Sequence, residues 1–305
     1  MILRKGAEVS ETARQLAIEP ATGEAADCLS VRSYERLSTL ISRQVGIKLP
    51  PQKRTMVEGR LRRRMRSIGI ETFDAYCSFL FEQNGLSQEL PHLIDVVTTN
   101  KTDFFREPEH YQLLQTRLVP SLLAERKGNG MPLLKIWSAA SSNGAEAYTI
   151  AMVLADLAAS SRDFRFSILG TDISNTMLRQ AERAIYPITM VDPVPSAMRE
   201  RYLMRARDQR AGSNMRIVPE LRRVVRFSRL NLMDSSYPLD RDIDVIFLRN
   251  VLIYFEKKDQ EAVIARMISH LRPKGFLLLG HSESMIGNTT QVRQVAPAVF
   301  QKTKD

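Results

Sequence analysis

Near Pro132 the hydrophobic rhythm of this chain changes, and that change limits the fold more than any single motif. Upstream, Tyr34, Leu37, Ile41 and Val45 recur at steps of three and four and make one apolar helical stripe. Gly46 stops it, and Pro50-Pro51 turns the chain into a second stripe of Val57, Leu61, Met65 and Ile68, ended by Gly69. Phe73, Tyr76, Leu80 and Phe81 form a third. Downstream, apolar runs at 133–137, 166–169, 224–230, 243–248 and 276–279 read as strands. Between them, 145–158, 175–184 and 260–271 read as helices, the last closed by Pro273 and Gly275. Such alternation predicts crossover connections and a mostly parallel sheet.

The expected architecture is α/β, with a small all-helical N-terminal domain at 30–93 and a sheet domain at 132–305. Residues 94–131 are a linker with a helix of its own, and 1–29, rich in Ala, Glu and Thr, read as a flexible tail. The stretch at about 187–223 is too long for a simple connection and should be a structured insertion. Both domains can bury a core, because 44% of the 305 residues are hydrophobic. No run reaches the roughly 18 apolar residues of a membrane span. The N-terminus lacks the apolar core of a secretory signal. Cys28 and Cys77 make no disulfide framework, so a reduced, cytoplasmic protein is expected. His92, His110, His270 and His281 show no metal spacing, and no metal is expected.

The net charge of +10 is unevenly spread. Residues 31–70 carry eleven Lys or Arg against Glu35 and Glu58, whereas 71–99 carry five acids and no Lys or Arg. A second basic block, with nine Arg against Asp208 and Glu220, runs from Arg201 to Arg229. Two positive surfaces suggest an acidic macromolecule, nucleic acid or protein, and charge alone does not choose.

In an open α/β sheet, ligands bind beyond the carboxyl ends of the strands. After the first strand comes a run of small residues, Ser138 to Gly144, and then Glu146. After the second comes Asp172, placed to accept both hydroxyls of a ribose, although a helix cap would use the same residue. With neither a G-x-G-x-x-G loop nor a Walker lysine, a nucleoside cofactor without phosphates fits best, which points to S-adenosylmethionine.

Four segments then carry a resemblance. The run Thr98-Thr99-Asn100-Lys101-Thr102-Asp103-Phe104-Phe105-Arg106-Glu107 resembles the signature of the chemotaxis receptor methyltransferases, the CheR family. It continues through Ile136-Trp137-Ser138-Ala139-Ala140, Gly170-Thr171-Asp172-Ile173 and Arg249-Asn250-Val251-Leu252-Ile253-Tyr254-Phe255. Gly280-His281-Ser282-Glu283 belongs to it as well, and the likeness covers about 29–300. It implies a class I S-adenosylmethionine-dependent methyltransferase domain, Rossmann-like, with a small β-subdomain as the insertion. It also implies transfer of a methyl group to glutamate side chains of chemoreceptors, with S-adenosylhomocysteine as product.

Carried over by position, the resemblance assigns Asn100, Thr102, Arg106, Glu146, Asp172, Asn231, Leu232, Arg249 and Asn250 to the cofactor pocket. The resemblance also implies that Arg106 and Tyr254 stand nearest the transferring methyl. One departure is Gly144-Ala145-Glu146-Ala147, where the family usually has two acids and a proline. The family also places a positive docking helix for receptor helices at 53–66, where Arg60, Arg63 and Arg64 would dock substrate. For an arbitrary helix the plainer reading is a solvated face. In some members the insertion binds a C-terminal receptor peptide. Arg205, Arg207, Arg210 and Arg216 suit an acidic peptide and plain solvation equally. Work at cytoplasmic receptor arrays is implied too. Two rivals remain: a nucleic-acid methyltransferase and a cofactor-binding regulator without catalysis. Against the first, 249–252 lacks the Pro-Pro-aromatic loop of amino-group methylation. No nucleic acid and no membrane insertion are expected.

Overall fold

The computed structural model describes residues 27–126, 130–161, 164–205, 214–283 and 290–303. Most of the tail expected at 1–29, and Arg207 and Arg210, lie outside them.

Four helices open the described chain: α1 (Val31–Val45), α2 (Arg54–Ser67), α3 (Phe73–Phe81) and α4 (Leu86–Val97). Ser30 caps α1 by accepting from the Ser33 amide, and Gly46 closes it in the left-handed region at φ 73°. The first two stripes meet: Tyr34, Leu37, Ile41 and Val45 pack with Val57, Leu61 and Met65 in one core, which also takes Leu29 from the expected tail. The helix α4 continues to Val97, beyond the expected boundary at 93, because Leu93, Ile94 and Val97 complete this core.

A second helical stretch follows, α5 (Pro108–Leu113) and α6 (Val119–Ala124), joined by a π-helical turn at Leu114–Leu118. The sheet domain then runs β1 (Leu133–Ala139), α7 (Ala145–Ser161), β2 (Arg165–Asp172) and α8 (Asn175–Arg183). The insertion holds β3 (Ile185–Pro187), α9 (Ile188–Val191), α10 (Ser196–Tyr202), β4 (Leu203–Arg205) and β5 (Asn214–Ile217). Its strands make a separate antiparallel sheet in the order β3-β5-β4. After α11 (Pro219–Val224) come β6 (Val225–Arg229), β7 (Ile243–Leu248), α12 (Lys257–His270), β8 (Leu271–Leu279), β9 (Val292–Ala296) and β10 (Val299–Lys302).

The main sheet has seven strands in the order β6-β2-β1-β7-β8-β10-β9. The first five are parallel, and β10 enters antiparallel between β8 and β9. All six residues of β7 are buried, as a central strand covered on both faces requires. Successive side chains of β1 feed the two cores: Ile136 joins one and Trp137 the other.

Pro273 and Gly275 do not close a helix. The helix α12 ends at His270, and Leu271 passes straight into β8 with extended φ −71° and ψ 139°. Pro273 falls where the β7–β8 register shifts, so its missing N–H interrupts no regular ladder. At Gly275 a Cβ would come within 3.0 to 3.1 Å of three carbonyl oxygens.

Candidate active site

The carboxyl ends of β1, β2 and β7 open onto a pocket holding about 1020 Å³ of space. Its wall includes Asn100, Thr102, Arg106, Glu146, Asp172, Asn231, Leu232, Arg249, Asn250 and Tyr254, so every expected cofactor and catalytic residue lies on it. The elements bring these side chains from 155 residues of chain, Asn100 to Tyr254, to one place.

Asp172 ends β2 and is buried. One carboxylate oxygen accepts from the Ser142 amide at 2.8 Å and the other from the Ser174 amide at 2.9 Å. The acid thus ties together the loops after β1 and β2. Burial pushes its pKa up, while those amides pull it down. The first loop takes its tight path through left-handed Ala140, Ser142 and Gly144. At Gly144 a Cβ would strike Ala181 and Phe227 at 2.8 and 2.9 Å, so the small residue is needed for contact between the loop and its neighbours.

Glu146 lies in the first turn of α7, where its Oε1 accepts from the Ser138 hydroxyl at 2.7 Å. Its Oε2 is 3.4 Å from Nη1 of Arg249. Burial pushes this carboxyl up as well. A carboxylate in this first turn would repel a phosphate at the helix start, where nucleotide-binding folds hold theirs. The pocket therefore suits a nucleoside without phosphates. Asp172 would hold a ribose, Ile173, Leu230 and Leu232 offer apolar surface for a base, and Glu146 suits a cationic amino group. These residues fit S-adenosylmethionine.

Arg249 follows β7 and is almost wholly buried. It donates to the Tyr111 hydroxyl at 2.9 Å and to the Arg106 carbonyl, and lies 3.2 Å from Glu107 Oε2. Burial disfavours its charge, yet Tyr111, Glu146 and Glu107 more than compensate and raise its pKa. Arg249 thereby ties β7 to the segment carrying Arg106. Asn250, at φ 59°, donates from Nδ2 to Glu107 Oε1 at 3.1 Å. Asn231 turns its amide elsewhere: Oδ1 accepts from the Met233 amide, and Nδ2 donates to the Gln44 carbonyl at 2.8 Å. This bond and the fit of Gly46 against Met233 and Phe255 place the end of α1 at the pocket, where Val45 and Ile47 join the wall.

Residues 32–98 match the CheR methyltransferase all-alpha domain, and residues 100–300 match the CheR methyltransferase SAM binding domain. The chain belongs to the CheR methyltransferase family. It is 35% identical over 268 residues to the chemotaxis protein methyltransferase of Borreliella burgdorferi, covering 88% of this chain and 93% of that one. The chemotaxis protein methyltransferase of Salmonella typhimurium is 35% identical over 91% of this chain and 92% of its own. That of Escherichia coli is 37% identical over 84% and 85%. This CheR-family chain is an S-adenosylmethionine-dependent methyltransferase.

The three arginines expected to dock substrate divide by geometry. Arg63 is exposed. Arg60 donates from Nη1 to the carbonyls of Val96 and Thr98 at 2.8 and 2.9 Å, at the end of α4. Arg64 pairs with buried Glu89, which also accepts from the Tyr76 hydroxyl at 3.0 Å. Burial pushes Glu89 up, but Arg64 and Tyr76 outweigh it and hold the carboxyl below its ordinary range. At the start of the same basic helix, Lys53 Nζ lies 4.9 Å from the centroid of the Tyr254 ring, so this helix begins at the pocket mouth.

Sequence reasoning assigned no role to Glu283, although it stands in a quoted motif. Its buried carboxylate accepts from the amides of Asn250 and Leu252 at 2.6 Å, Gly280 at 2.9 Å and Ile253 at 3.4 Å. Four backbone donors on one acid hold the loop that carries Asn250 and Tyr254. Histidine spacing also concealed a cluster: Glu107, His110 and His281 place ligand atoms within 4.8 Å of one another. Burial first, and Arg249 second, push His110 down to about 4.

Proposed function

We propose that this methyltransferase esterifies glutamate side chains of methyl-accepting chemoreceptors, giving glutamyl methyl esters and S-adenosylhomocysteine for sensory adaptation. The family membership supports the receptor as partner. The observation that carries the residue-level reading is the continuity from pocket to basic helix through Lys53 and Tyr254. We assign the helical domain at 30–93 to receptor docking, 94–131 to completing the pocket, and 132–305 to catalysis. Of the three arginines expected to dock substrate, Arg63 is the exposed one and makes the receptor contact, while Arg60 and Arg64 brace the helical domain through Val96, Thr98 and Glu89. Among the described residues no helix is long and apolar enough to cross a membrane. The enzyme's likeness to chemotaxis protein methyltransferases supports a place beside the cytoplasmic helices of receptor arrays.

The cofactor supplies an electrophilic methyl group on a sulfonium cation. A glutamate carboxylate, with an ordinary pKa of about 4.3, is already ionised near neutral pH, so the chain needs no general base. What the protein contributes is alignment. Arg106 donates from Nη1 to the Lys101 carbonyl at 3.1 Å, which steadies its guanidinium at the pocket wall. Arg106 and the Tyr254 hydroxyl orient the incoming carboxylate, with reacting atoms held about 3 Å apart. Their hold on the carboxylate must be modest, because a tight ion pair would favour the ground state. Neutralisation of two opposite charges is then helped by a pocket of low dielectric.

Labelled cofactor incubated with the enzyme and receptor-bearing membranes should yield base-labile methyl esters on receptors. Absence of such esters, alongside normal uptake of S-adenosylhomocysteine, would leave a regulator without catalysis. Label on DNA or RNA would favour the nucleic-acid reading.

A further inference from the structure

Behind the pocket wall, the segment after Arg106 meets the end of β8. There Glu107, His110 and His281 converge, the first two from the start of α5 and the third from the turn beyond Leu279. His110 is buried, and among the described residues neither of its ring nitrogens reaches hydrogen-bond geometry with any group. Pro297, whose carbonyl acts on the ring, falls outside that geometry. Nδ1 of His110 faces Glu107 Oε2 at 3.4 Å. The exposed His281 ring packs edge-on against His110, with centroids 5.0 Å apart and planes at 83°, and so gives the cluster a route to solvent.

A buried imidazole without a hydrogen-bond partner is costly, because a polar group taken from water needs replacement contacts. Here its neighbours are a carboxylate oxygen and a second imidazole. Two neutral imidazoles and one carboxylate are the donor set that divalent transition ions of the zinc class prefer over magnesium or calcium. Hence we propose that Glu107, His110 and His281 bind a divalent transition ion, with a fourth position open to water on the His281 side. The site goes beyond methyl transfer and does not depend on it. It does touch the pocket, because Glu107 Oε2 also lies 3.2 Å from Arg249 Nη2. An ion there competes with Arg249 for this oxygen and loosens the wall that Arg249 braces.

The test uses full-length enzyme treated with chelator, in a Cys28→Ser background that removes the exposed thiol as a competing ligand. Calorimetry with zinc alone should show one ion bound per chain. Cobalt alone should give the intense visible bands of a four-coordinate site. His281→Ala and His281→Asn alter an exposed residue outside the methyl-transfer pocket and should keep the fold by circular dichroism. Each should weaken zinc by no less than the roughly tenfold loss that follows removal of a mere outer-shell partner. Zinc should also weaken S-adenosylhomocysteine binding to the parent, and not to His281→Ala. Equal zinc affinity in parent and His281 variants, or a cobalt spectrum of the aqua ion, would overturn the site and leave the two rings as an edge-to-face pair. Unchanged S-adenosylhomocysteine affinity in zinc-loaded parent would overturn the competition with Arg249.

Discussion

Glu283 Oε2 accepts the backbone amide of Asn250 at 2.6 Å, while its Oε1 accepts that of Leu252 at the same distance. Replacing the acid by its amide puts an NH₂ group against one pair of these backbone donors, either Asn250 and Gly280 or Leu252 and Ile253. Losing a buried acceptor costs about 1–3 kcal/mol, so Glu283→Gln should lower kcat/KM for receptor methylation by roughly tenfold or more. The protein should remain folded, because the damage is confined to the loop carrying Asn250 and Tyr254. Steady-state kinetics beside a thermal melt checks this, and wild-type kinetics would refute the positioning role.

Tyr254→Phe and Arg106→Ala address alignment itself. Both should reduce kcat, by about 10- to 100-fold if they orient the carboxylate only in the reacting complex, with smaller effects on KM. Rates matching the wild type in both variants would remove these residues from the mechanism.

Asp172 should govern cofactor uptake. In Asp172→Asn an amide NH₂ meets the Ser142 or Ser174 amide, and the two loops lose their common anchor. S-adenosylhomocysteine binding should weaken by about tenfold or more, read by calorimetry, as expected when a buried charged acceptor is lost. Undiminished binding would mean that this acid serves the loops alone.

Arg63 and Arg64 are neighbours in sequence with opposite expected phenotypes. Arg63→Glu should raise KM for receptor fragments roughly tenfold at low salt, with the penalty shrinking as salt screens the docking face. Its melting temperature should hold. Arg64→Ala should instead destabilise the helical domain by about 3 kcal/mol, because it leaves the buried Glu89 carboxylate with Tyr76 alone. Equal effects of the two substitutions on stability would contradict this division.

The same pair sets an acid limit. The Glu89 carboxyl titrates below its unfolded value, so its stabilising contribution is complete above about pH 5 and fades as pH falls through the depressed folded value. Urea midpoints of wild type should therefore drop more steeply on acidification than those of Glu89→Gln. Parallel curves would show that the pair contributes no such linkage.

How much was legible beforehand depends on the range of the interaction. The stripes of α1 and α2 and the apolar runs of β1 and β7 are local periodicities, and a buried face imposes them on the sequence directly. Pro273 and Gly275 misled because they punctuate a helix in isolation. In the fold they occupy a register shift, a property of two paired strands. Asp172 stood out by its position after a strand, whereas Glu283 did not, since nothing local shows that its four donors come from a distant turn as well as its own.

Alone, the order of residues determined the two-part layout and the set of side chains at the carboxyl edge, because apolar rhythm and strand ends are written residue by residue. Only tertiary packing decided which charges are spent inside the protein. Arg64 is drawn to Glu89, Arg249 to Glu107 and Glu146, and His110 to His281, across separations of 25 to 171 residues. The reason is desolvation: a buried charge or imidazole must find its partner in space, and spacing along the chain does not record who that partner is.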